Sequence, residues 1–143
     1  AAAMLASGFI DSIDGAVARA SGKASQFGAF MDSVTDRYSD VVITCSLILA
    51  GLCSVHSGLV FLAGSLLVSY TRARGESLRV DTEGVGFAER SERLIVLCAV
   101  SASSYFYPPL FEYGVILLAA LTNITAILRI MHVHNELRRR ESK

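Results

Sequence analysis

The sequence predicts an all-α fold, a polytopic transmembrane helical bundle, and three observations carry that prediction. Hydrophobic residues make up 52% of the 143 and charged residues 18%, with no Trp and a mean hydropathy of +0.49; a soluble domain of this size is rarely so apolar. Apolar runs of helical length alternate with short polar stretches, with neither the period-two alternation of a half-buried strand nor an internal repeat. The basic residues avoid two of the connecting turns, which is the mark of a sided membrane topology. Net charge is zero, so nothing points to nucleic acid as a partner.

Residues 1–10 are a small-residue apolar run leading directly into Asp11 and read as the back half of a helix. A span needs about 20 residues, so the chain is expected to be N-terminally incomplete, without an N-terminal helix and part of the next. A second helix is predicted from about Phe27 to Cys53, followed by a tight turn at Ser54–Gly58. A third apolar run, Leu59 to about Tyr70, continues into the polar stretch Thr71–Arg93, and a fourth spans Leu94–Tyr107. Pro108 and Pro109 break it, and a fifth helix runs from Leu110 to about His134, ahead of the basic tail at Arg138, Arg139 and Arg140. The whole of residues 1–143 is expected to form one transmembrane domain.

None of the 13 Lys and Arg residues falls in the turns at 54–58 and 105–114. Arg19 and Lys23 in the first loop, Arg72, Arg74, Arg79, Arg90 and Arg93 in the long loop, and the Arg138–Lys143 cluster therefore face the cytoplasm by the positive-inside rule. That makes a multi-pass protein of the cell membrane, with Tyr105, Tyr107 and Tyr113 as an aromatic belt on the outer side. The first apolar stretch has no basic n-region and so is not a secretory signal. The basic tail has two readings, a solvated helix end or a contact with anionic headgroups at about 1 kcal/mol per residue. Cys45, Cys53 and Cys98 lie in or beside apolar runs without metal-ligand spacing and read as packing residues. His56, His132 and His134 sit at loop or helix ends without a zinc-spaced partner set and read as interfacial polar groups.

Four aspartates carry most of the functional information. Asp11-Ser-Ile-Asp14-Gly15-Ala-Val-Ala18-Arg19 is followed, after eight residues, by Gly28-Ala-Phe-Met-Asp32-Ser-Val-Thr-Asp36. Spacings of three and four put each pair of acids on one helix face, so two adjacent helices can aim four carboxylates at one point. Each Asp at mid-membrane costs roughly 2.5 to 3.5 kcal/mol on an insertion scale, and like charges a few ångströms apart raise one another's pKa. Divalent cations remove both penalties, and hard cations choose oxygen ligands. The bland account, salt bridges of Asp14 with Arg19 and Asp36 with Arg37, leaves two acids unpaired and accounts for neither glycine. Gly15 and Gly28, lacking Cβ atoms, allow helices and a ligand to approach closely. Asp40, one turn past Asp36, extends the stripe and is expected to pair with Arg37 or a polar neighbour.

This stretch resembles the signature of the CDP-alcohol phosphotransferase family, D-x2-D-G-x2-A-R-x8-G-x3-D-x3-D, matching every fixed position. The resemblance implies a six-helix membrane fold and a centre of two divalent ions, Mg2+ or Mn2+, held by Asp11, Asp14, Asp32 and Asp36. Asp36 is then also the general base on the acceptor hydroxyl. It also implies a nucleotide-binding set of Asp11, Asp14, Gly15, Ala18, Arg19, Ser25 and Gly28, with Arg19 neutralising phosphate charge and Ser25 hydrogen-bonding the nucleotide. Two ions about 3.5 to 4 Å apart can clamp a pyrophosphate and stabilise the departing phosphate oxygens.

A second region, Tyr70-Thr-Arg72-Ala-Arg74-Gly-Glu76 and Gly86-Phe-Ala-Glu89-Arg90-Ser-Glu92-Arg93, is arginine-rich. Arg is the preferred residue for two-pronged phosphate binding, so Arg72, Arg74, Arg90 and Arg93 are candidates for an acceptor-phosphate pocket. Arg129, alone in an apolar helix, either reaches the same pocket or snorkels to the interface. The pattern resembles the branch of the family that uses inositol phosphate, the bacterial phosphatidylinositol phosphate synthases and the archaetidylinositol phosphate synthases, except that Gly75 stands where Ala is more familiar. The expected reaction is transfer of a phosphatidyl or archaetidyl group from CDP-diacylglycerol or CDP-archaeol to inositol phosphate, with release of CMP. The expected partners are these substrates, membrane lipids and a second copy of the chain in a homodimer. Glycerol 3-phosphate as acceptor is the alternative within the family. A cation or proton transporter is the alternative from another class, but transport needs no phosphate-binding arginines.

Overall fold

The computed structural model describes residues 25–87, 90–104 and 106–142. They form four helices, α1 (Gln26–Leu49), α2 (Val55–Ser77), α3 (Arg90–Ser103) and α4 (Pro109–Glu141), with no strand among the described residues. The apolar run at 1–10 and the first half of the aspartate motif lie outside them. The chain divides into two compact units, residues 1–39 and 40–143, so that α1 carries residues of both.

The boundaries between α1 and α2 have local causes. At the start of α1, Ser25 Oγ accepts a 2.9 Å hydrogen bond from the Gly28 N–H, the bond by which a capping serine satisfies an N–H left over in the first turn. The helix ends at Leu49 because Gly51 takes φ +68, a left-handed conformation open to glycine. The sequence predicts a turn at 54–58; the structure places it at 50–54. Ser54 is the N-cap of α2, its Oγ accepting from the Ser57 N–H at 3.2 Å, so the serines that suggest a turn instead start the next helix.

The largest departure concerns the polar stretch from Thr71. It is not a loop at its start: α2 continues through it to Ser77. Thr71 Oγ1 donates to the Leu67 carbonyl at 2.8 Å, and Arg72 pairs with Glu76 one turn on at 3.1 Å, so the polar side chains support the helix. It stops at a Schellman arrangement. Arg79 N–H bonds Glu76 O and Val80 N–H bonds Gly75 O, both at 2.9 Å, with Arg79 at φ +58 and Val80 buried.

Two further boundaries move outward. α3 begins at Arg90 instead of Leu94, which brings Arg90 and Arg93 into its first turn. α4 begins at Pro109, whose missing N–H costs nothing in a first turn, and its 33 residues absorb the basic tail, with Arg138, Arg139 and Arg140 in the last turn beside the negative end of the helix dipole.

α4 is the central element of residues 40–143. Its buried residues Phe111, Gly114, Val115, Leu118, Ala119, Thr122, Thr125, Ala126 and Arg129 recur at three- and four-residue steps, so one stripe faces the core. α2 lies against it where Gly64 meets Thr122 and Asn123, and Asn123 Nδ2 donates to Val60 O at 3.1 Å. α3 lies against it where a Cβ on Gly114 would stand 2.6 Å from Val100. Among the described residues α4 is the one helix long and apolar enough to cross a membrane. Its outer face presents Ile116, Leu117, Ile124, Ile127, Ile130 and Met131, all exposed, a contiguous apolar strip of the kind that meets lipid or a partner.

Candidate functional site

Of the aspartate motif, Gly28, Asp32 and Asp36 lie in α1, Ser25 caps it, and Asp11, Asp14, Gly15, Ala18 and Arg19 lie outside the described residues. Asp32 and Asp36 are four residues apart in one helix, so their carboxylates share a face. The Ser25 hydroxyl, expected on the nucleotide, caps the helix here and places the Gly28 N–H; a Cβ on Gly28 would stand 3.1 Å from it. No group of three His, Cys, Asp or Glu residues assembles among the described residues. The described donors are thus two carboxylates one turn apart, a donor set that fits a hard divalent cation.

The next acid on the stripe behaves differently from expectation. Asp40 pairs with α3, not with Arg37. Its Oδ2 accepts a 2.9 Å hydrogen bond from Arg93 Nη2, and its Oδ1 lies 3.9 Å from Arg90 Nε. Arg37 instead donates from Nη1 to the Ser33 carbonyl of its own helix at 2.6 Å. The Arg93 side chain is 3% exposed and that of Asp40 11%, so this is a buried charge pair.

The other expected acceptor arginines divide by position. Arg72 and Arg74 occupy the last two turns of α2. Arg72 Nη2 also lies 3.9 Å from Glu83, and Arg74 Nη1 donates to Ser77 Oγ at 3.3 Å. Arg129 is 2% exposed; its Nε donates to Val85 O and its Nη1 to Val68 O, each at 2.9 Å. The Arg129 guanidinium is thus held on the backbones of α2 and of the loop that follows it and is not extended to solvent.

Arg129 belongs to a row on α4 that holds the segment between the two arginine pairs. Thr125 Oγ1 accepts from the Phe87 N–H at 3.1 Å, and Gly86, at φ +107, packs so closely on Thr125 that a Cβ there would overlap its side chain. His132 Nε2 lies 3.0 Å from the Asp81 carbonyl, and Arg140 donates to Leu78 O at 3.1 Å and Arg79 O at 2.6 Å. Arg72 and Arg74 at one end of this loop, and Arg90 and Arg93 just beyond the other, are in this way attached to a pinned backbone. His132 and Arg140 are the contributors that sequence reasoning misses, because their partners are backbone carbonyls more than fifty residues away.

The helical fold, the spaced carboxylates of α1 and the arginines flanking one loop define a family. The chain belongs to the CDP-alcohol phosphatidyltransferases, integral membrane enzymes, whose family model matches residues 1–131. It is 44% identical over 139 residues to the archaetidylinositol phosphate synthase of Methanothermobacter thermautotrophicus, covering 96% of this chain and 71% of that one. It is 35% identical over 130 residues to the phosphatidylinositol phosphate synthase of Mycobacterium tuberculosis, covering 84% and 59%. Among solved structures it resembles the latter enzyme with CDP-DAG bound, at TM-score 0.76 and 36% identity over 87% of this chain and 67% of that one. A second structure of that enzyme, in complex with manganese and citrate, matches at TM-score 0.76 and 35% identity over 87% and 64%.

Proposed function

We propose that this chain transfers the phosphatidyl or archaetidyl group of a CDP-linked lipid to a hydroxyl of inositol phosphate, releasing CMP, in a metal-dependent reaction. The observation that carries the reading is the coexistence of the complete aspartate motif with four arginines at the two ends of one pinned loop. The motif supplies a donor site for a pyrophosphate; the arginines supply a second anion site. Resemblance to relatives named as inositol phosphate-type synthases supports the same acceptor.

Asp11, Asp14, Asp32 and Asp36 would hold two divalent ions, Mg2+ or Mn2+, which would supply charge neutralisation for the pyrophosphate and for the departing CMP oxygen. Asp36 accepts the proton of the acceptor hydroxyl. The freed oxygen forms a bond to the lipid-side phosphorus, the bond from that phosphorus to the CMP oxygen breaks, and CMP departs with the electron pair. Ser25, Gly28, Gly15, Ala18 and Arg19 line the nucleotide side; Arg72, Arg74, Arg90, Arg93 and Arg129 form the acceptor side. The chain acts as a single multi-pass membrane domain with this site open to the cytoplasm, the side to which the positive-inside rule assigns the loop arginines, and as a homodimer.

An acceptor screen tests the proposal: full-length protein with CDP-diacylglycerol or CDP-archaeol, Mg2+ or Mn2+, and inositol phosphate, inositol, glycerol 3-phosphate or serine. CMP release is expected with inositol phosphate. A higher kcat/KM for free inositol or for glycerol 3-phosphate overturns the acceptor and leaves the family unchanged.

A further inference from the structure

We propose that Asp40 is a positioning residue for the acceptor site, acting through Arg93; the inference rests on the acceptor reading above. Asp40 lies outside the eight fixed positions of the aspartate motif, yet its carboxylate is not left to solvent or to its own helix. Arg37, the cation nearest in sequence, donates to Ser33 O, while Asp40 reaches across to the first turn of α3. There its two oxygens face two different guanidinium groups, Arg93 at 2.9 Å and Arg90 at 3.9 Å.

The consequence follows from the shape of arginine. A guanidinium carries five N–H donors in one plane, so fixing one Nη on a carboxylate fixes the direction of the others. A flexible arginine would have to be ordered when the acceptor arrives, which weakens binding. Arg93, buried to 3% exposure and held at 2.9 Å, is ordered beforehand. Asp40 itself need not touch the substrate. Its effect is on the acceptor alone, because the donor site is assigned to other residues.

Asp40→Asn keeps the shape and removes the charge. The expected result is an acceptor KM raised about tenfold, the low end for weakening one charge-assisted contact, with the CDP-lipid KM and the kcat at saturating acceptor within about twofold of the parent. Asp40→Glu restores part of the lost acceptor affinity. In Asp40→Asn/Arg93→Ala the acceptor KM equals that of Arg93→Ala alone, since the first residue works through the second. If Arg93→Ala raises the acceptor KM and Asp40→Asn does not, the proposal is wrong and the acceptor reading stands. If Arg93→Ala leaves it unchanged, Arg93 does not hold the acceptor and the proposal is wrong, while the identity of the acceptor is decided separately by the acceptor screen. Multiplying defects in the double variant, or equal rises in both KM values with a fall in thermal stability, assign Asp40 a merely structural role. Should Asp40→Asn not fold, the same comparison is made with Asp40→Glu, and an unchanged acceptor KM there overturns the proposal.

Discussion

Arg93 Nη2 and Asp40 Oδ2 stand 2.9 Å apart, with the two side chains 3% and 11% exposed, and the pair joins α1 to α3 across 53 positions of sequence. Buried charges of this kind are held by each other: removing one partner typically costs about 3 to 5 kcal/mol, whereas replacing both by apolar groups of similar size is often neutral. The pair therefore has two separable consequences, one for stability and one for the acceptor.

Stability and acceptor affinity are expected to part company in the apolar replacement. Arg93→Met alone leaves the Asp40 carboxylate without its 2.9 Å partner and lowers the midpoint of thermal unfolding in detergent. Asp40→Leu/Arg93→Met recovers most of that loss. Acceptor KM stays raised in both. A double variant with recovered acceptor KM would mean that the arginine contributes packing only.

The carboxylates of α1 make a contrasting pair. Asp32→Asn replaces a charged oxygen ligand by a neutral one, so turnover is lost and Mn2+ binding, followed by calorimetry or paramagnetic resonance, weakens. The same is expected of Asp11→Asn and Asp14→Asn. Asp36→Asn loses the chemical step while keeping much of its CDP-lipid affinity, the signature of a lost base. Loss of CDP-lipid binding in Asp36→Asn reassigns that residue mainly as a ligand.

What could be read from the sequence follows the range of the interactions. Apolar runs and prolines are local, and they locate the four described helices; the spacing of Asp32 and Asp36 is local too, and α1 puts them one turn apart. Misplaced boundaries come from polar residues whose role is decided at a distance or by capping. Ser54 looks like turn sequence, but its side chain caps α2 and its N–H donates to Glu112 Oε2 at 2.7 Å, 58 positions on. Arg72 and Arg74 look like loop residues, but they extend α2 because the Arg72–Glu76 pair and the Schellman end stabilise two more turns. Asp40 has a cation three residues before it and pairs with one 53 residues after it, a choice no local pattern encodes.

Gly75, the small departure in the arginine-rich stretch, has a steric cause that ties it to one residue. A Cβ there would stand 2.9 Å from Thr82 Cγ2 and 3.2 Å from Val80 O, and Thr82 is fully buried. Alanine in a helix interior is ordinarily favoured over glycine by roughly 0.5 to 1 kcal/mol. Here the contact reverses the sign: Gly75→Ala lowers the unfolding midpoint. Adding Thr82→Ser, which removes Cγ2, returns it to the parent value or above. If Gly75→Ala alone stabilises the protein, the loop packs less tightly on α2 than this contact implies.

Arg79 offers the opposite test, in which glycine is the better residue. It occupies the position after the α2 cap at φ +58, while the Arg79 and Val80 N–H groups close the Schellman hydrogen bonds and its carbonyl accepts from Arg140 Nη2. Arg79 contributes only its backbone atoms to these bonds, so glycine preserves all of them. The left-handed conformation costs an L-residue roughly 1 to 2 kcal/mol that glycine does not bear; glycine's greater freedom in the unfolded chain returns part of this. Arg79→Gly is therefore expected to raise the unfolding midpoint modestly, with acceptor and CDP-lipid KM unchanged. Arg79→Val, β-branched and poorly suited to positive φ, lowers it. Arg140→Ala removes the two bonds that fasten this turn to the end of α4 and lowers it as well. A fall with glycine equal to that with valine would show that the Arg79 side chain, and not its backbone conformation, stabilises the turn.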